Sequence, residues 1–391
     1  MHKIIIKNFG PIKNAEIDIN GINIAIGESA SGKSVVAKLI YIFNQCFYIS
    51  TIKHDNIKEL VEKNIEILLP KMFAGYILDS DKYSIRYEYG SSFYIEKTYK
   101  SFTSNLPNEK TAKIDKQSSE YQKLPSEFKE LLEKIAHKGL VDEFDFINEQ
   151  LDMQMTRKRL DVHETIFIPA TRTFISDFDN IILNVLLDDL QFSFDYSLLT
   201  FAKKYKEIED TFTEIKSKEL VSLLKGKIDK SKKILKFVPS GKRKTIPLSA
   251  LSSGQKELLP LVIMLDYFLL KQEEVMLIIE EPEAHIFPSD QKKIFEALVK
   301  LYNAKRTKLF ITTHSPYLLA VLNNHLYAGS DQYRGNGFRG KRVKREECNA
   351  IELKDNTANK IIDNATGLID AQIIEKVSLD IEEEFEGLLN E

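Results

Sequence analysis

The chain opens on alternation. Ile4 and Ile6, then Ala15, Ile17 and Ile19, then Ile22, Ile24 and Ile26 stand two apart, the middle run with polar residues between, and a turn at 8–11 divides the first two runs. Period-two spacing predicts strands across residues 2–26. The period then changes to three and four, at Val35, Val36, Leu39, Ile40 and Ile42, predicting a helix to about residue 47. Residues 57–73 repeat that helical spacing with Leu60, Val61, Ile65 and Leu68, and 83–99 alternate about a Gly-Ser-Ser break as a hairpin. Tyr83, Tyr87 and Tyr89 share one hairpin face with Ile85, either as a stacking platform for nucleic-acid bases or as one side of a packed sheet. The polar span 101–125 predicts a loop or mobile insertion, 126–160 helices, and 165–169 a buried strand. Between Phe174 and Phe237 the spacing is read as almost wholly helical. Beyond it come a helix after residue 255, a strand at 275–281, a helix at 289–303 and a strand at 308–312.

Strands alternating with helices predict an α/β fold built on a mixed sheet, with an inserted helical lobe. The expected division is a first part of the head at 1–173, a helical insertion at 174–236, a second part at 237–330 and a C-terminal extension at 331–391. Where strand gives way to helix, Gly27, Glu28, Ser29, Ala30, Ser31, Gly32, Lys33 and Ser34 read G-x-x-x-x-G-K-S, followed by Val35. This is a P-loop in the context the motif requires. Its backbone N–H groups and the helix N-terminus suit phosphate, with Lys33 reaching the β- and γ-phosphates of ATP and Ser34 ligating Mg2+. The strand 275–281 ends in Glu280 and Glu281. Because strand side chains alternate, one carboxylate is expected to face Mg2+ and the next to polarise the attacking water.

Composition adds little beyond ordinary globularity. The 391 residues are 43% apolar and 29% charged, with a net charge of −3. Local blocks matter more. Nine bases and one acid, Asp229, fall between Lys225 and Lys244, either a solvated face or a phosphate-binding surface for nucleic acid; six more bases fall between Arg334 and Arg345 in a Gly-containing loop. The residues from 374 onward are acidic, with Ile381, Phe385, Leu388 and Leu389 on one helical face, read as closing the chain's own core rather than docking a partner. Cys46 and Cys348 have no disulfide or zinc spacing, which points to a reducing, cytoplasmic setting, and no stretch approaches the length of a membrane span. Asp79-Ser80-Asp81 and Asp177-Phe178-Asp179 read as surface turns.

The order of motifs carries a resemblance. The P-loop, then Leu251-Ser252-Ser253-Gly254-Gln255, then Glu280-Glu281-Pro282-Glu283-Ala284-His285, then Thr312-Thr313-His314-Ser315-Pro316 resembles ABC-type ATPases of the RecF, SMC and OLD-like branch (AAA_15- and AAA_21-like). The resemblance implies catalytic roles for Glu281, His314 and Lys33, metal binding by Ser34 and Glu280, and contact of Ser252, Ser253, Gly254 and Gln255 with the nucleotide of a second chain. Homodimers or larger homo-oligomers would then close through ATP. In that branch the opening segment lies beside the adenine, which makes Asn8, Phe9 and Lys13 candidates for base contact. Ala170 stands where ABC-type ATPases carry a γ-phosphate-watching Gln, with Gln45 a second candidate for that role. Arg172 of I-P-A-T-R either reads phosphate or ATP state or makes an ordinary salt bridge. Stand-alone ATPases of anti-phage systems such as Septu and PARIS are the nearest in kind, implying a separately encoded nuclease or toxin as effector; a RecF-like DNA clamp is the alternative.

Overall fold

The computed structural model describes residues 1–49, 57–73, 82–106, 153–177, 195–231, 234–271, 274–305, 307–370, 379–386 and 388. Its centre is a parallel block. Strands β3 (Ile22–Gly27), β7 (Glu164–Ile168), β11 (Val275–Glu280), β12 (Lys308–Thr313) and β13 (Cys348–Lys354) lie in the order β13-β3-β12-β11-β7. All six residues of β11 are buried, as expected of a parallel strand covered on both sides. The pleat shares its side chains between two cores. Leu277 and Ile279, with Ile22, Ile24, Leu309 and Ile311, belong to the core that also contains Leu261, Leu298 and Leu322. Met276 and Ile278, with Phe167 and Phe310, pack instead with Val36, Ile40 and Leu68. The first core takes side chains from α6 (Ser253–Leu270), α7 (Pro288–Lys305) and α8 (Pro316–Gly329), and the second from α1 (Lys33–Gln45) and α2 (Ile57–Phe73).

A mostly antiparallel wing extends this block. β14 (Thr357–Lys360) pairs with β13 and meets β2 (Ile12–Ile19) through Thr357 and Asn14; beyond lie β1 (His2–Phe9), β4 (Ser84–Tyr89), β5 (Phe93–Thr98) and β6 (Phe102–Ser104). The eleven strands form one mixed sheet with helices on it, the α/β class expected. β6 extends an edge inside a stretch read from sequence as loop. Residues 348–360, within the expected C-terminal extension, instead supply two strands to the middle of this sheet.

The region 174–237 is not wholly helical. Helices α3 (Thr173–Asp177), α4 (Tyr196–Thr211) and α5 (Lys218–Leu224) are followed by β8 (Gly226–Ser231), β9 (Ile234–Pro239) and β10 (Ile246–Pro247), a separate antiparallel sheet. The signal overlooked is period two: Leu235 and Phe237 are buried while Lys236 between them is exposed. The basic block therefore lies on a hairpin and the loop after it, with Lys225, Lys227, Lys236, Lys242, Arg243 and Lys244 exposed. The acidic terminal helix also departs from expectation. Over 379–386 every residue is exposed, Ile381 at 61% and Phe385 at 59%, so its apolar side chains do not close the core. Glu382, Glu383, Glu384 and Glu386 crowd so short a helix with charge that burial would strip of water. Leu389, Asp79-Ser80-Asp81 and the helices expected over 126–152 lie outside the described residues.

Tyr83, Tyr87 and Tyr89 are core side chains, 6%, 0% and 2% exposed, and form the packed face rather than a stacking platform. They enclose a polar chain at the start of the molecule. Asn44 Nδ2 donates to the Tyr87 hydroxyl at 2.9 Å, that hydroxyl lies 3.2 Å from His2 Nδ1, and His2 Nε2 lies 3.0 Å from the Leu160 carbonyl. The pattern fits a neutral imidazole with its proton on Nε2. Burial, with Lys308 adding to it, lowers the His2 pKa to about 3. The unfolded chain therefore binds a proton that the folded chain refuses, and stability is lost as pH falls from about 6.5 toward about 3. Thermal unfolding at about pH 7.5 and about pH 4.5 should show wild type losing about 2–3 kcal/mol more than His2→Gln.

Candidate functional site

The parallel register brings the strand ends to one edge. Ile26 lies opposite Thr313, Glu280 opposite Thr312, and Gly27 opposite Leu353. From Gly27 the chain turns through Glu28, Ser29 and Ala30, all exposed, and Ser31 before α1 begins at Lys33. Ala30 adopts φ 61° and Gly32 φ 103°, so the loop passes twice through left-handed backbone. A Cβ at Gly32 would also lie 2.9 Å from Ile12 Cγ1. Lys33 is 5% exposed, and its ammonium donates to the Gly27 and Glu28 carbonyls at 2.8 and 2.7 Å. Burial lowers its pKa against the opposing pull of Glu281, Glu283 and Glu280. The buried Ser31 Oγ has no protein partner, leaving a hydroxyl open inside the cradle. Ser34 and Val35 begin the helix over which phosphate would sit.

Glu280 ends β11 beside that helix. Ala170 N–H donates to its Oε2 at 3.4 Å, the Ser34 hydroxyl lies near enough to favour the charged carboxylate, and buried Oε1 has no protein partner. Burial raises its pKa, Ser34 and Lys38 acting against the shift. A buried carboxylate with an open oxygen next to a serine hydroxyl is a donor set that fits a hard divalent cation such as Mg2+. Such an ion would hold the carboxylate ionised.

Glu281 departs from the expected pleat. It lies at φ 43°, outside the strand, so a left-handed turn rather than strand alternation aims its side chain. Its Oε1 lies 3.4 Å from His314 Nε2, both residues being about one-third exposed. Glu283 ties the two loops together, its Oε1 accepting from Thr313 Oγ1 at 2.6 Å and from His314 N–H at 2.7 Å.

The segment 251–255 begins α6 with a capping box. Ser252 Oγ accepts from Gln255 N–H, and the Gln255 side chain accepts from Ser252 N–H at 3.2 Å. Gln255 Nε2 donates to the Leu224 carbonyl at 2.9 Å. Ser252 and Ser253 are exposed, and Gly254 presses against the turn after Glu281, where a Cβ would lie 2.8 Å from the His285 carbonyl oxygen. Among the described residues, no hydrogen bond joins 252–255 to the loop 27–34.

Residues 1–319 match the family described as AAA ATPase domain, AAA_15. The chain belongs to that family. ATP hydrolysis is accordingly the activity of this AAA ATPase domain. No curated protein matches it. Among solved structures, an SMC head bound to the C-winged helix domain of ScpA is 12% identical, with TM-score 0.47 and coverage of 92% of this chain and 96% of that one. The SMC head domain from Thermotoga maritima is 11% identical, with TM-score 0.38 and coverage of 92% and 97%. A nucleotide-free ATP-binding cassette from an ABC transporter is 11% identical, with TM-score 0.36 and coverage of 97% and 96%.

Several candidates from sequence fall elsewhere in this AAA ATPase domain. Phe9 is wholly buried against Phe73 and Tyr83, so it packs the core instead of meeting a base, while Asn8 and Lys13 are exposed beside it. Gln45 closes α1, about 18 Å along the axis from Lys33, too far to watch a phosphate. Arg172 is wholly buried and donates to backbone carbonyls, an arrangement that takes it away from phosphate. Sequence reasoning missed the ties of Glu283, though the E-E-P-E spacing contained it, and missed Leu353, which no local pattern connects to the loop. A Cβ at Gly27 would lie 2.4 Å from the Leu353 carbonyl oxygen. Gly27→Ala must part β3 from β13 and should cost about 1–3 kcal/mol of stability in urea unfolding, with ATP binding weakened in parallel.

Among the described residues no helix is long and apolar enough to cross a membrane.

Proposed function

We propose that two copies of this chain pair head to tail around ATP and form a switch that senses and regulates a separately encoded effector, a nuclease or toxin, in anti-phage defence. The observation that carries the switch is the approach of Glu281 to His314 at 3.4 Å, with Lys33 held amid Glu280, Glu281 and Glu283. Lys33 and the loop 27–35 hold the phosphates, and Ser34 and Glu280 would hold Mg2+, which would supply charge neutralisation on the phosphate oxygens. Glu281 takes the proton of the attacking water as its oxygen bonds the γ-phosphorus and the bond to the β-phosphate oxygen breaks. His314 donates to the γ-phosphate. Ser252, Ser253, Gly254 and Gln255 present the N-terminus of α6 to the partner's nucleotide, a use that agrees with the exposure of Ser252 and Ser253 and, among the described residues, with the lack of hydrogen bonds from 252–255 to the chain's own P-loop. ATP binding then closes the pair and hydrolysis opens it. A cytoplasmic setting agrees with Cys46 and Cys348 as free buried thiols.

Support for a protein partner comes from the helix 379–386, whose Leu379, Ile381 and Phe385 stand exposed among acids. The observation that favours a RecF-like DNA clamp is the row of exposed cations on β8, β9 and the following loop. Purification with the products of neighbouring genes, followed by light scattering in ATP, separates the two. Co-purification of a nuclease or toxin in fixed stoichiometry supports the defence switch; a lone chain that dimerises with ATP and retains DNA replaces it with the clamp. In both readings Glu281→Gln should keep ATP binding while turnover falls about 100-fold or more, and Lys33→Ala should lose ATP binding itself, as measured by equilibrium dialysis and phosphate release.

A further inference from the structure

Arg172 is wholly buried between three parts of the site, and its guanidinium is spent on backbone carbonyls and one carboxylate. Its Nε donates to the Glu257 carbonyl at 3.2 Å and lies 3.3 Å from the Glu257 carboxylate. Nη1 donates to the carbonyls of Pro169, at 3.0 Å, and Glu280, at 2.8 Å, and Nη2 donates to that of Glu281 at 3.0 Å. One planar fork thus joins the end of β7, the first turns of α6 and the end of β11. An ordinary salt bridge needs one partner. This arrangement spends the geometry of guanidinium, which an ammonium lacks.

The linkage is reinforced from both sides. The Glu257 carboxylate also accepts from the backbone N–H groups of Arg172 and Thr173, at 3.1 and 3.4 Å, so α6 is bound to 172–173 by more than charge. Gly254, one turn earlier on α6, abuts the His285 carbonyl at the far end of the turn that starts at Glu281. Glu281 itself sits at φ 43°, a conformation that costs a side-chain-bearing residue about 1–2 kcal/mol and persists only where neighbours hold it. Its N–H donates to the Thr312 carbonyl at 2.9 Å, and its own carbonyl accepts from Ala284 N–H at 3.0 Å and from Arg172. Among the described residues, Arg172 thus makes the hydrogen bond to the strained Glu281 that comes from outside the sheet and its turn, and it carries that bond into α6.

We infer that Arg172 is a positioning residue through which the helix carrying 252–255 sets the place of the same chain's Glu281, so that engagement of the partner's nucleotide by one half-site tunes hydrolysis in the other. The inference rests on the reading above, in which Glu281 acts on the chain's own ATP and α6 on the partner's. Small displacements matter here, since a misplacement of about 1 Å can cost about 100-fold in rate. No role in holding phosphate follows, because the guanidinium is turned entirely inward.

The test is the split between rate and affinity in the full chain. Arg172→Lys keeps the charge beside Glu257 but loses the fork; kcat should fall about 10- to 100-fold while the Kd for Mg-ATP stays within about 3-fold of wild type. Glu257→Gln acts only at the α6 end and should lower kcat about 3- to 10-fold, again at unchanged Kd. Wild-type kcat in Arg172→Lys overturns the inference, as does a loss of affinity equal to the loss of rate. If Arg172→Lys fails to fold by circular dichroism, Glu257→Gln decides, and an unchanged kcat there removes the link to α6. Glu281→Gln run alongside separates the two levels. Full turnover in that variant defeats the reading of the site; inactivity there, with Arg172→Lys and Glu257→Gln both like wild type, defeats the link alone.

Discussion

The constraint on which the rest depends is the burial of a parallel block on both faces. Strands β3, β7, β11 and β12 have no wet side on which to place polar groups, so chemistry is confined to their ends. Parallel pairing then collects those ends at one edge, the place where open α/β sheets bind ligands. The loop 27–34, the segment 169–173, the turn 281–285 and the segment 313–315 all leave from it. Burial of each Ile, Leu or Phe in this block contributes about 1.5–3 kcal/mol, against about 1–2 kcal/mol for a left-handed residue. Ala30, Glu281 and His285, all at positive φ, can therefore be held where function needs them.

The buried cations at that edge are already engaged. Lys33 donates to the carbonyls of its own loop, and Arg172 to those of Pro169, Glu257, Glu280 and Glu281. Glu280 carries the cost of burial with one oxygen unpartnered, and the Glu283 Oε2 is likewise without a partner. Unpaired acceptors in a low-dielectric corner raise the value of any added cation or donor. An Mg2+ ion accompanying a nucleotide would find those acceptors waiting.

What could be read from the sequence was local. The P-loop and the apolar strand leading into Glu280 depend on neighbours within a few residues, and pattern reasoning found both; the capping box of Ser252 and Gln255 is equally local, in its S-x-x-Q spacing, but was passed over. What failed was either a competing local period or a distant pairing. β8 and β9 were hidden because lysines alternate with Ile228, Leu235 and Phe237 too briefly to outweigh the helical spacing before them. The partners of Arg172 lie 85 and 108 positions away at Glu257 and Glu280, and no spacing in one sequence announces such contacts. The aim of Glu281 was misjudged for a different reason: strand alternation stops at Glu280, and φ at the next residue cannot be seen in its letter.

The position of β13 has a consequence in time. Gly27 and the rest of β3 lie between β12 and β13, strands that begin only at Lys308 and Cys348. A ribosome makes the chain from its first residue at a modest pace, and the strand leading to the P-loop emerges early with neither neighbour available. Its edges stay open until almost the whole domain is outside, a topology of distant pairings that folds slowly. A nascent chain therefore cannot acquire its nucleotide site piece by piece. Its slot beside β3 stays open until β13 is made.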